Sequence, residues 1–209
     1  MLDNKIKVGI INLGINNIQS ISNAYKTIGC NVKIINNRQK LLNFNIVVLP
    51  GVGSFKSGMK KIKSLDLKKK LEKFLKKDPK NLLIGICLGM QLLFKSSNEH
   101  GITKGMNLIA GKVEPFSKTK VKIIPHMNWN KTKINKRSKL KRFNNKNFYF
   151  VHSFYCNPDD KNNIIGVTEH EKFKFCSILK KNNIIGLQFH PEKSGSDGLN
   201  ILREINKLT

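Results

Sequence analysis

The sequence predicts an α/β fold: a mostly parallel sheet flanked by helices, with additional antiparallel strands in the C-terminal half. Three observations predict it. Short Ile- and Val-rich runs alternate with amphipathic runs over the first half of the chain, the pattern of strand–helix–strand units. Asn81-Leu-Leu-Ile-Gly-Ile86 is apolar without polar alternation, as expected of a strand covered on both faces. After Phe94 the pattern changes to short apolar runs punctuated by Gly, Asn and Pro, which read as further strands.

In order, Lys5–Ile11 reads as the first strand and Asn12–Asn17 as a turn, with Asn17 placed to cap a helix over Ile18–Ile28. Gly29 ends that helix. Asn31–Ile35 and Asn45–Leu49 are the next strands. Pro50-Gly-Val-Gly-Ser-Phe55 leaves the third strand as a glycine loop, and it lacks the Gly-Lys-Ser/Thr of a nucleotide-binding P-loop. One long basic amphipathic helix is expected from about Ser57 to Lys77. The strand at 81–86 then runs into a helix through Met90, Leu92, Leu93 and Phe94. Beyond it, Val121–Ile124, Phe148–Val151, Asn163–Val167, Phe173–Leu179 and Asn183–Phe189 read as strands, and Asn130–Asn147 as a loop or hairpin. A last helix is expected over Gly198–Lys207. With no repeat and no linker, residues 1–209 are expected to form a single domain.

Composition narrows the classes. The start of the chain has no long apolar run of the signal-peptide kind and no run is long enough to span a bilayer, so a cytoplasmic protein is expected. The four cysteines, Cys30, Cys87, Cys156 and Cys176, show no close pairing, which speaks against a metal site or a disulfide framework. Lys and Arg number 39 against 13 Asp and Glu, a net charge of +26. The lysines are scattered and arginine is scarce, whereas nucleic-acid surfaces favour Arg with interleaved aromatics. Nucleic acid is therefore not the expected partner, although a basic docking face for an acidic partner or a phosphorylated substrate stays open.

The chemistry concentrates at Gly85-Ile-Cys87-Leu-Gly89. A nucleophile between two glycines, at a strand-to-helix junction, has the pattern of a nucleophile elbow. Glycine suits the flanks because the turn is sharp and the backbones approach closely. The new helix directs its N-terminus at the sulfur, which favours thiolate, and the backbone N–H of Leu88 is placed to hold a developing oxyanion. The ordinary alternative is a core cysteine. A thiol nucleophile needs a base. Of the five histidines, His100 and His170 lie in polar stretches. His190 ends an apolar strand, with Glu192 two residues on, and Cys87, His190 and Glu192 form a possible triad. Taken alone, His190-Pro-Glu192 is more often a strand exit with a solvated carboxylate.

Together, Gly85-Ile-Cys87-Leu-Gly-Met-Gln91 and Gln188-Phe-His190-Pro-Glu192 resemble the class I, triad-type glutamine amidotransferases, whose domain has a flavodoxin-like fold. Leu49-Pro-Gly-Val-Gly-Ser-Phe55, Ile124-Pro-His126-Met-Asn-Trp129-Asn130, Tyr149-Phe-Val-His152-Ser153 and His190-Pro-Glu-Lys193-Ser-Gly195 further resemble the glutaminase subunits of imidazole glycerol phosphate synthases. The resemblance covers nearly the whole chain and implies no cofactor. It implies that Cys87 attacks the glutamine amide, that His190 moves the protons and that Glu192 orients His190. Gly51 and Gln91 would hold glutamine, Val52 and Leu88 would donate backbone N–H groups to the oxyanion, and His152 and Ser153 would wall the pocket. His126, Trp129, Tyr149 and Lys193 would face a (β/α)8-barrel cyclase subunit and the ammonia passage, with core packing an equal alternative for His126.

Three stretches depart from the family pattern. Asn12-Leu13 with Asn16-Asn17 replaces the usual Asp-Tyr and Gly-Asn of the first turn, Asn128 replaces a glycine, and Phe154 replaces a tyrosine. The changed turn fits a rival reading, a related amidotransferase supplying ammonia for amidino-sugar synthesis. A rival of another class is a basic binding module on an inert triad fold, against which the intact Cys–His–Glu set weighs. A peptidase of related fold is disfavoured by Gln91 and by the Pro50-Gly-Val-Gly53 loop.

Overall fold

The computed structural model describes residues 5–14, 18–36 and 41–209. β1 (Lys7–Ile11), α1 (Ile18–Thr27), β2 (Asn31–Ile35) and β3 (Ile46–Leu49) open the chain. α2 (Phe55–Ser64) and α3 (Leu67–Lys77) lead to β4 (Leu82–Ile86) and the short α4 (Leu88–Leu92). β5 (Phe94–Ser97), β6 (Thr103–Lys104), β7 (Ile109–Pro115), β8 (His126–Ile134), β9 (Lys146–His152) and β10 (Phe154–Pro158) follow. β11 (Ile164–His170), β12 (Phe173–Lys181), β13 (Ile184–Leu187) and α5 (Gly195–Asn206) complete it.

The thirteen strands of the described residues form one sheet, with the path β2-β1-β3-β4-β13-β12-β10-β7-β5-β6. The first five in that order are parallel throughout. From β12 onwards the pairing is mostly antiparallel. β11 branches off β12 and carries the β8–β9 hairpin as a ribbon. The stretch expected as a loop or hairpin over 130–147 is therefore a hairpin whose strands run further than the apolar residues suggest.

Alternation along the parallel strands sorts two cores. Val8, Ile10, Ile46, Val48, Ile84 and Ile86 pack with Ile21 and Tyr25 of α1 and Ile201, Leu202 and Ile205 of α5. Ile11, Val47, Leu49 and Leu83 pack on the other face with Phe55, Met59 and Ile62 of α2 and Leu71 and Phe74 of α3. Each such fully buried side chain contributes about 1.5–3 kcal/mol relative to leaving it in water.

Four expectations are corrected. The helix expected over 57–77 is two helices, broken where Asp66 takes a left-handed φ of 47°. The reason lies in the phase of the apolar residues. Ile62 and Leu67 are five positions apart, about 140° off in a continuous helix of 3.6 residues per turn, and the break brings both onto the sheet. Phe94 is not helical but starts β5. Val121–Ile124 is no strand: Ile123 N donates to Glu171 Oε2 at 2.9 Å, as does Lys122 N, and Ile123 O accepts from His170 Nε2 at 2.8 Å. Side chains thus take the backbone groups a neighbouring strand would take. The last helix begins three residues earlier than expected, at Gly195. The cap expected at Asn17 lies outside the described residues.

Candidate active site

The C-terminal edge of the parallel segment builds the site. β4 ends at Ile86, and Cys87 adopts φ 51° and ψ −111°, a conformation that side-chain-bearing residues seldom take and that marks functional turns when it occurs. Neighbours hold it there. Cys87 N donates to Leu187 O at 2.7 Å, and Gln91 N to Cys87 O at 3.1 Å. A Cβ at Gly89 would sit 1.7 Å from Leu49 O, and one at Gly85 2.8 Å from Gly89 O. No larger residue fits either place. Leu88 is the first residue of α4, so its N–H has no acceptor within the helix.

β13 lies beside β4 and delivers the other half. Past its end, His190 N donates to Tyr149 O at 2.9 Å, and the turn Pro191–Lys193 folds Glu192 back. His190 Nδ1 lies 2.8 Å from Glu192 Oε1, and both side chains are buried, 4% and 3% exposed. Burial opposes a charge on the ring. The Cys87 sulfur and the Glu192 carboxylate outweigh it and raise His190 to about 10. The imidazole is thus held protonated, its Nδ1–H donated to Glu192. Its buried Nε2 has no hydrogen-bond partner among the described residues.

A cavity of about 300 Å³ opens over the thiol. Cys87, Leu88, Val52, Gln91, His152 and Ser153 all line it. Gly51 does not line it. It stands behind the wall, where a Cβ would come within 3.0 Å of the Leu88 Cβ. Gly53 turns the loop with a φ of 101°. Larger hollows of about 410, 440 and 680 Å³ lie elsewhere and hold no cysteine or histidine.

Glu99 also lines the cavity and escaped the sequence reading. Its Oε2 accepts from Phe55 N, the first amide of α2, at 2.5 Å. The available signal was an acidic residue close after the elbow in a chain with only 13 of them. Gln91 spends both Nε2 hydrogens inward, to Phe154 O at 3.2 Å and Gln188 Oε1 at 3.4 Å, which leaves its Oε1 as an acceptor. His152 donates from Nδ1 to the same Phe154 O at 2.8 Å. Burial holds His152 neutral, its pKa lowered to about 3.

Trp129, Tyr149 and Lys193 gather on the surface. The indole is 49% exposed and meets the Tyr149 ring edge-on at 5.9 Å, and Lys193 Nζ lies 5.9 Å over that ring. Val52, Ile123, Ile124 and Met127 are exposed as well, and Val52 and Pro125 both line the cavity. His126 does not join the surface. Of its two expected placements, a partner face and core packing, it takes the second: it is wholly buried, because it starts β8 with its side chain on the inner face of the ribbon. There it stacks on Phe150 and His170. Among the departures from the family pattern, Asn12 Oδ1 accepts from Gly14 N at 2.8 Å, and Leu13 is buried. Asn128 Oδ1 accepts from Trp129 N at 2.8 Å. Phe154 lines the cavity, and Asn16 and Asn17 lie outside the described residues.

Among the described residues there is no cluster of three metal-ligating side chains, and no helix is long and apolar enough to cross a membrane. The family model "Glutamine amidotransferase class-I" matches residues 9–205. An imidazole glycerol phosphate synthase subunit HisH 2 of Methanococcus maripaludis is 42% identical, over 96% of this chain and 98% of that protein. The chloroplastic imidazole glycerol phosphate synthase hisHF of Arabidopsis thaliana is 36% identical over 94% of this chain, a stretch that makes up 33% of that protein. A crystal structure of a glutamine amidotransferase superposes with a TM-score of 0.72 at 15% identity, covering 96% of this chain and 97% of that one, a likeness of fold. The chain belongs to the class I glutamine amidotransferases and, within them, to the family of the HisH subunits of imidazole glycerol phosphate synthase.

Proposed function

We propose that this chain is the glutaminase subunit of an imidazole glycerol phosphate synthase. It would hydrolyse glutamine to glutamate and ammonia and pass the ammonia to a (β/α)8-barrel cyclase subunit, which makes imidazole glycerol phosphate and AICAR in histidine biosynthesis. Its whole length acts as one amidotransferase domain in the cytoplasm. The observation that carries the reading is the strained Cys87 at the floor of a cavity, next to a buried His190–Glu192 pair.

In this reading Cys87 attacks the amide carbon of glutamine as its thiolate, and the carbonyl π electrons move to oxygen. The Leu88 and Val52 N–H groups receive that oxyanion. As the carbonyl re-forms, the C–N bond breaks and His190 gives its Nε2 proton to the departing ammonia, leaving a glutamyl thioester. His190, now neutral, takes a proton from water. The hydroxide adds to the thioester, the C–S bond breaks, and Cys87 leaves as thiolate with His190 again protonated. Glu192 keeps the ring in one orientation through both halves. Gln91 Oε1 and Glu99 are the acceptors that suit the α-ammonium of the substrate, with Gly51, His152 and Ser153 shaping the pocket. Trp129, Tyr149, Lys193 and the exposed Val52, Ile123, Ile124 and Met127 form the face for the cyclase.

The oxyanion loop adjoins that face. Its glycines allow a peptide to reorient, so the partner and its nucleotide ligand would complete the oxyanion hole. The test is glutamine hydrolysis by the purified chain, alone and with a histidine-pathway cyclase plus that ligand. Slow turnover alone and strong stimulation by the pair is the expected result. Glutaminase activity that ignores the pair would redirect the assignment to another acceptor, amidino-sugar synthesis first. No activity in any mixture, from folded protein, would overturn it.

A further inference from the structure

Gln188 has no part in the chemistry above, yet it is completely buried at the centre of the site. It follows β13 by one residue. Its own N–H donates to Ser177 O at 2.9 Å, and the preceding Leu187 O accepts Cys87 N. The backbone therefore holds it beside the nucleophile. Its Nε2 lies 3.7 Å from Cys87 Sγ, within reach of an N–H···S hydrogen bond. Its Oε1 accepts from Gln91 Nε2 at 3.4 Å, and Cys156 Sγ approaches the same oxygen at 4.0 Å. Every contact agrees with one orientation of the amide: the nitrogen donates to sulfur, and the oxygen receives two donors.

We infer that Gln188 is a positioning residue for the proposed glutaminase reaction: its carboxamide ties the nucleophilic sulfur of Cys87 to the Gln91 side chain, which contacts substrate. The inference rests on the glutaminase reading for what Gln91 does, but not for what happens at the sulfur. As a thiol, Cys87 points its hydrogen at Val151 O, 3.8 Å away. That contact belongs to the protonated form and disappears with the proton. The amide donor from Gln188 instead strengthens as charge develops on sulfur, because hydrogen bonds to an ionised acceptor are the stronger kind. The same donor would serve twice, once at attack and again when the thiolate leaves the thioester. The other titratable groups around the sulfur are His190, the Glu99 and His152 of the cavity, and Cys156.

The experiment follows alkylation of Cys87 by iodoacetamide against pH, read on the Cys87 peptide by mass spectrometry so that the other cysteines do not interfere. Glutamine kinetics are measured in parallel with the partner subunit present. Gln188→Met keeps the length and removes the donor and the acceptor. The alkylation midpoint is expected to rise by about one unit or more, with a raised KM for glutamine and a lowered kcat. Gln188→Glu keeps an acceptor for Gln91 but has no amide hydrogen, so it should raise the midpoint with a smaller rise in KM. Gln91→Met should raise KM and leave the midpoint unchanged. If folded Gln188→Met and Gln188→Glu chains keep the unaltered chain's midpoint, the inference is overturned. Should either fail to fold, the side-chain amide of Gln188 in the 15N-labelled unaltered chain takes over. Its resonances should move through the Cys87 midpoint, and resonances that stay put overturn the inference. A shifted midpoint in a chain that never hydrolyses glutamine would uphold the link to sulfur and reject the functional assignment, so the two failures are distinct.

Discussion

His126 Nδ1 lies 3.1 Å from His152 Nε2, and neutral rings cannot satisfy every contact around them. His152 Nδ1 donates to Phe154 O, so its Nε2 can only accept, while His126 Nε2 faces Asn130 Oδ1 at 2.9 Å and needs a hydrogen there too. The single hydrogen of a neutral His126 serves one of its two contacts. Burial holds both rings neutral, His126 lowered to about 4 and His152 to about 3. Unfolded histidines take up protons at about 6.5. As pH falls below 6.5 the unfolded chain gains two protons that the folded one refuses until about 4 and 3. Stability should therefore fall with pH in this window, by up to about 1.4 kcal/mol per unit for each ring. His190 has the opposite sign. Its stabilisation is complete below 6.5 and declines as pH rises towards about 10. Thermal melts between pH 6 and 5 should show the acid loss, and His126→Phe should reduce its slope. Equal melting temperatures at both pH values would refute the account.

Replacing Glu99 by Gln should weaken glutamine binding without disturbing the fold. The amide keeps an acceptor for the Phe55 N–H, so the start of α2 stays tied. It loses the negative charge facing the cavity. A hydrogen bond to a charged group contributes about 1.5–3 kcal/mol, which corresponds to a KM raised roughly 10- to 100-fold. Steady-state kinetics with the partner subunit reads it. A KM within twofold of the unaltered chain would remove Glu99 from substrate recognition.

Cys87→Ser should keep the fold, losing at most the stabilisation that the sulfur gives protonated His190, and lower glutamine hydrolysis by at least about 10³-fold, the scale on which removal of a catalytic nucleophile is felt. Gly89→Ala should do the reverse of preserving the fold. Its Cβ would fall 1.7 Å from Leu49 O, between two backbones that cannot give way. A destabilisation above about 2 kcal/mol is expected, read by urea unfolding. Unaltered stability in the Gly89→Ala chain would mean that the β3 and β4 ends are not packed as described.

Much of this site could be read in the chain because it is local. Gly85, Cys87 and Gly89 lie in five consecutive residues, and His190 and Glu192 in three. Strands β3 and β4 announce themselves as apolar runs for the same reason. What escaped was non-local or a matter of phase. Glu99 is an ordinary loop carboxylate until the fold turns it towards Cys87. Gln188 sits inside a motif that was read for its histidine. His126 stays open between a partner face and the core because the β8–β9 ribbon carries a mixture of Lys, Asn and Thr that hides which face of β8 looks inward. The break at Asp66 was present in the five-residue spacing from Ile62 to Leu67, but strong helix formers on both sides masked it.

Trp129→Ala should separate assembly from folding. The indole is half exposed, packs against Tyr149, and shares the hairpin surface with exposed Met127. Removing it from the free chain uncovers little, so the stability should change by no more than for a typical surface substitution, within about 0.5 kcal/mol. In a complex the same residue would be a large aromatic at an interface, the type that dominates binding energy, and its loss should weaken association by about 2 kcal/mol or more. Titration of the cyclase subunit into the Trp129→Ala chain measures this directly. The glutaminase stimulation should recover at high cyclase concentration, because Cys87, His190 and Glu192 are untouched. A Kd equal to that of the unaltered chain would move the interface away from the Trp129–Tyr149–Lys193 cluster, and the exposed Ile123 and Ile124 would then be the next residues to replace.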